Sequence, residues 1–172
     1  MSNTNIKEIP YYDVTFTNQC LNPFNSLIHT VLYDSDKHSL VDLHSFESKK
    51  MLGICCLDTD GNSFGWFKNE SNAIDINQKY YLFSKEITSS EWIIYNWRLY
   101  HYPTIGFHEN GYLINIPDAF SITSTLNCHF ASSLYLNYSH PTNPVIISKE
   151  FLSFPYYHCP DDIQLVKFIL YE

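Results

Sequence analysis

Residues 89–103, SSEWIIYNWRLYHYP, decide how the chain is read, because the stretch carries two opposed sets of signals. Thr88 and Glu91 stand three apart in the form of a capping box, Ile87 and Trp92 are placed as a hydrophobic staple, and Pro103 supplies a stop. The body between them is β-branched and aromatic, and such residues are poor helix formers. Read as a strand, Ile93, Tyr95, Trp97 and Leu99 line one face. Read as a helix, only Asn96, Arg98 and His101 break an apolar surface that runs nearly all round. A strand of that length exceeds the usual ~5–6 residues, so the caps and the stop favour a buried helix over about 88–101. Either way the rings belong to the core, and Arg98, the sole arginine, packs its stem at the core edge.

The remaining pattern is mostly strands. Phe24, Leu27, Ile28, Val31 and Leu32 fall at helical spacing behind Asn22 and Pro23, which predicts a helix over about 22–33. Tyr12, Val14 and Phe16 alternate as a first strand. MLGICCL (51–57) is an apolar run, followed by DTDGN and SFGWF, so a hairpin turns at 58–62. YYLFS (80–84) reads as another strand, and Asn110-Gly111 marks a second hairpin between TIGF and YLINI. Alternating Ile122, Leu126, Cys128 and Phe130, then SLYLN, PVIIS and IQLVKFILY, complete a strand-rich C-terminal half. The expected class is α+β: a mainly antiparallel sheet with one or two helices, about 22–33 and 88–101, in a single domain spanning 1–172.

Composition excludes several functions. The 172 residues carry a net charge of −8, with no Lys or Arg between Arg98 and Lys149, so no cluster of cations is available for a phosphate backbone. Direct nucleic-acid binding is therefore not expected, and an acidic surface steers in a basic protein partner instead. No apolar run approaches the ~20 residues of a membrane span, and the N-terminus lacks a signal-peptide pattern. Cytoplasmic residence follows, with Cys20, Cys55, Cys56, Cys128 and Cys159 as reduced thiols. Aromatics are 17% of the chain, which fits a ring-built core or ring-bearing contact surface equally.

No phosphate loop, nucleophile elbow or metal-ligand spacing is present, and no cofactor or metal is expected. In Asp58-Thr59-Asp60-Gly61 the glycine comes too early for a calcium loop and no Glu closes it at the needed distance, so it reads as a solvated turn. Cys128 and His129, if in a strand, point to opposite faces and cannot ligate together. HCPDD (158–162) gathers His158, Cys159, Asp161 and Asp162, and a small enzyme built on that segment is the alternative reading. A structural or assembly subunit is a second alternative. The leading reading is a binding surface of acidic, ring-bearing turns: Asp58, Asp60 and Trp66 in one, Tyr156, Tyr157, Asp161 and Asp162 in the other.

In overall profile (size, acidity, aromatic richness, no export signal, no catalytic signature) the chain resembles a bacterial immunity protein. The resemblance implies a cytosolic inhibitor that binds a cognate basic toxin domain, often a nuclease, and covers its active site without being an enzyme itself.

Overall fold

Turn residues and continuous apolar runs buried on both faces account for most of the central strands, and two-residue alternation for the shorter ones. A computed structural model describes residues 31–45, 53–68, 80–87, 93–97, 105–116, 118–131, 134–139 and 162–171. Among them are eleven strands: β1 (Val31–Asp34), β2 (Gly53–Asp58), β3 (Ser63–Lys68), β4 (Tyr80–Lys85), β5 (Ile93–Trp97), β6 (Gly106–Glu109), β7 (Tyr112–Ile116), β8 (Phe120–Ile122), β9 (Asn127–Phe130), β10 (Tyr138–Ser139) and β11 (Ile163–Tyr171). All pairings are antiparallel, in the order β10-β5-β4-β3-β2-β11-β9-β8-β7-β6, with β1 also paired to β11.

The nine-residue β11 joins two layers. Its Leu165–Tyr171 portion pairs with β2, while Ile163 and Gln164 pair with Cys128 and Asn127 of β9. The sheet on one side of β11 then faces the sheet on the other. Phe64 of β3 meets Phe120 of β8 and Phe130 of β9, each at 5.2 Å between ring centroids. The register pairs Cys56 with Phe64 and Ile54 with Trp66, so these side chains share the face that fills the space between layers.

The opposite face of β2, β3 and β4 is buried too, which is why GICCL shows no alternation of apolar and polar residues. Phe67 stacks on Tyr81 at 5.1 Å and leans on Phe83 at 6.4 Å there. Gly65 is required at this point: a Cβ on it would stand 2.0 Å from the Ile54 carbonyl oxygen and 2.5 Å from Phe83 Cζ. Among the described residues most rings thus go into the core, where each buried ring stabilises by about 1.5–3 kcal/mol. Among the described residues the exposed large hydrophobics are Val41, Ile87 and Val166, none of them aromatic.

The structure corrects the α+β expectation. Helix among the described residues is limited to the six-residue 3-10 segment Leu40–Ser45, which packs near β6, and the single turn Leu134–Asn137. Within 88–101, residues 93–97 form β5, and Tyr81, Leu82, Phe83 and Ser84 pair with Asn96, Tyr95, Ile94 and Ile93. Tyr95 and Trp97 are buried, so the strand reading of this segment prevails over its caps. Val31–Asp34, where the helix of 22–33 was to end, is strand β1 on the edge of β11. Residues 22–30 and the first-strand candidate 11–17 lie outside the described residues. SLYLN, expected as strand, holds the helical turn instead.

Both hairpins form as the turn residues require. Asn110 (φ 54°) and Gly111 (φ 84°) take the left-handed conformation between Glu109 and Tyr112, the pattern of a two-residue turn matched to strand twist. Between β2 and β3 the left-handed position is Gly61 (φ 90°).

Candidate functional site

The 58–62 turn is organised by the Asp58 carboxylate. Its Oδ1 accepts from the backbone N–H groups of Asp60 (2.9 Å) and Asn62 (2.8 Å), and its Oδ2 accepts from Asn62 Nδ2 at 3.1 Å. Asp58 is only 2% exposed. Burial pushes its carboxyl above the ordinary value, and the hydrogen bonds from Asn62 and Asp60 pull it partly back. The carboxylate therefore serves the turn and leaves Asp60 as the group that faces solvent. Asn62 Oδ1 in turn accepts from Ile87 N at 3.0 Å, which seats Ile87, 44% exposed, beside the turn.

On the other side the turn meets β11. Thr59 N donates to Gln164 O at 3.1 Å, continuing the β2–β11 pairing beyond Asp58 and Leu165. Asp162, which precedes β11, contacts His129 Nδ1 through Oδ1 and accepts from Asn127 Nδ2 at 3.2 Å through Oδ2. His129 and Asp162 are 56% and 48% exposed. Tyr112, at the Asn110-Gly111 hairpin, stacks against His129 with ring centroids 6.5 Å apart.

These contacts form a continuous line across one region of the surface, from Ile87 through Asp60 and the start of β11 to His129 and Tyr112. The 58–62 turn and Asp162 are thus neighbours, because β2 and β11 pair. Glu86 follows β4 and Glu109 ends β6, adding acid to the same turns, whereas Lys85 is the one Lys or Arg at 58–62, 85–87, 109–112 and 162–164. The arrangement offers carboxylates at a wet rim with an apolar side chain and two half-covered rings beside them, which suits recognition of cationic side chains.

Of the seven residues proposed from sequence, Asp60 and Asp162 sit on this surface. Trp66, 1% exposed, is a core residue stacked on Tyr80 at 5.7 Å and presents nothing to a partner. Asp58 is a turn organiser and does not meet a partner either. Tyr156, Tyr157 and Asp161 lie outside the described residues, as do His158, Cys159 and Arg98. Sequence reasoning missed His129, Asn127, Tyr112 and Ile87. Alternation in NCHF does place Cys128 inward and His129 outward, but the partner of His129 lies 33 residues away, just before β11.

Burial pushes the thiols of Cys55, Cys56 and Cys128 well above their ordinary value, which favours the protonated form and keeps them from solvent. Among the described residues no group of three or more His, Cys, Asp or Glu is placed to hold a metal. No helix among them is long and apolar enough to cross a membrane. No protein-family model matches the sequence, and no curated protein matches it.

Proposed function

We propose that the chain is a cytoplasmic immunity-type inhibitor that binds a basic toxin domain, a nuclease in the leading case, and covers its active site. The observation that carries this reading is the adjacency of the Asp60 turn and Asp162 across the β2–β11 pairing, with exposed Ile87 bound into the same turn. A net charge of −8 steers a basic domain toward the chain, and the rim carboxylates then pair with its Lys and Arg side chains. Nuclease clefts are basic because they hold a phosphate backbone, so an acidic rim competes for the same cations. Ile87, Tyr112 and His129 supply the contact area that the buried Trp66 does not.

Co-expression with the product of the adjacent upstream gene tests the proposal. The expected result is restored growth of cells producing that toxin and co-purification of the two chains. A toxin that kills equally with and without this chain would refute it.

A further inference from the structure

Where β1 meets β11, a buried amine faces a buried carboxyl. Lys167 Nζ lies 3.0 Å from Asp34 Oδ1 and 3.1 Å from Asp34 Oδ2, and both side chains are 1% exposed. A carboxyl approached so evenly through both oxygens has its carbon no more than about 3.5 Å from the nitrogen, the separation of a near-attack contact. The register accounts for the meeting. Asp34 pairs with Ile169 on one side of β11, Lys167 pairs with Leu57 on the other, and the irregularity between Leu165 and Lys167 leaves Val166 exposed instead. Lys37 also approaches Asp34 Oδ2, but at 4.0 Å and 27% exposed, so it stays hydrated.

Asp36 completes the group. Its Oδ2 stands 3.1 Å from Lys167 Nζ, and at 30% exposure it connects the buried pair to solvent. Its backbone N–H donates to Asp34 Oδ1 at 3.0 Å. One residue thus brings a proton acceptor to the amine and a hydrogen-bond donor to the carboxyl. The residues beside the pair in the register and along β11, Leu57, Phe168 and Ile169, are apolar and buried. Exclusion of water makes it costly to hold two ions there, and a neutral product removes that cost.

We propose that Lys167 and Asp34 condense after folding into an intramolecular amide. Moving one proton along the Nζ–Oδ2 hydrogen bond leaves an amine beside a carboxylic acid, the reacting forms, with the total number of protons unchanged. The Asp χ2 torsion is broad, so the carboxyl can turn its face to the nitrogen. The nitrogen lone pair then forms a C–N bond to Cγ, and the carbonyl pair moves onto Oδ1, where the Asp36 N–H meets the developing charge. Nζ passes a proton to Asp36 Oδ2, and Asp36 delivers it to Asp34 Oδ2. That oxygen leaves as water while Oδ1 regains its double bond. One ammonium and one carboxylate become one amide and one water, with no oxidant or co-reactant. The amide keeps both partners, its N–H toward Asp36 Oδ2 and its oxygen toward the Asp36 N–H. The bond closes a loop between β1 and β11 across 133 residues.

Intact-mass spectrometry of the purified chain, before and after days of incubation in the folded state, tests the proposal. The wild type is expected to become lighter by one water, and protease digestion to give a branched peptide joining Asp34 to Lys167. Asp36→Asn keeps the backbone donor and loses the proton carrier, so it should slow the condensation roughly a hundredfold. The cross-linked chain resists urea beyond the unreacted one, so the contribution of the ion pair alone is read on chain of full sequence mass. None of these groups belongs to the docking surface, and the two proposals fail separately. The proposal is overturned if the folded wild type keeps its full sequence mass, or if the lost water maps to other residues. An Asp36→Asn chain that condenses as fast as the wild type overturns the part assigned to Asp36.

Discussion

Lys167 Nζ lies 3.0 Å from Asp34 Oδ1, and both side chains are 1% exposed. The pair spans 133 residues and ties β1 to β11, with Asp36 as a second acceptor at 3.1 Å. Ser35 reinforces the junction: its N–H donates to Phe168 O at 3.1 Å and its Oγ accepts from Phe168 N at 3.0 Å. Desolvating both charges costs about as much as their attraction returns, but removing one leaves the other buried without its main partner. Asp34→Ala is expected to cost about 3–5 kcal/mol in urea unfolding, and Asp34→Leu with Lys167→Met to recover most of it.

Tyr33 gives a pH dependence of definite sign. Burial, then the nearby Asp42 and Asp34 carboxylates, push its phenol from 10.0 up to about 12. The neutral hydroxyl donates to Ser39 O at 3.1 Å. A raised value in the folded state means that its stabilisation is complete below pH 10 and is lost as pH rises toward about 12. Wild type should therefore lose stability faster than Tyr33→Phe between those limits, as followed by alkaline unfolding.

Asp58 has the same sign at the acid end. Its carboxyl is raised chiefly by burial, so its contribution is largest in acid and diminishes as pH rises above the ordinary value of 3.8. The stability difference between wild type and Asp58→Asn should shrink over that window, and a difference that grew with pH would contradict the assignment. Asn is expected to be the less stable at every pH, since its amide turns a donor toward Asn62 Nδ2.

Much of this fold was legible because the signals were local. Gly61 and Asn110-Gly111 marked their hairpins through backbone conformations that few residues adopt, and IQLVKFILY coincides with β11. The segment 88–101 was misread because its capping pattern is also local, whereas what makes 93–97 a strand is pairing with β4 and burial of Tyr95 and Trp97. Val31–Asp34 depends still more on a distant partner, the edge of β11, and no periodicity within four residues reports that. The same limit governs the site. Asp60 and Asp162 were recognisable as acidic turn residues, but the β2–β11 pairing that makes them neighbours has no signature in either segment. Trp66 was assigned to a surface by its proximity in sequence to Asp58 and Asp60, although the register of β3 turns it inward onto Tyr80.

Two glycines separate steric from conformational demand. Gly65→Ala drives a Cβ into the Ile54 carbonyl and the Phe83 ring and should cost about 3 kcal/mol or more. Gly111→Ala meets nothing within 4 Å and bears only the penalty of its φ of +84°, about 1 kcal/mol. Thermal unfolding of the two variants should differ accordingly.

Calorimetric titration of this chain with the purified product of the adjacent upstream gene reads the acidic surface directly. Binding of the wild type at micromolar Kd or tighter, weakened at least about tenfold by Asp60→Lys with Asp162→Lys, is the expected result. No binding, or binding indifferent to both reversals in a folded double variant, would contradict the proposal that this end of β2 and β11 docks a basic protein.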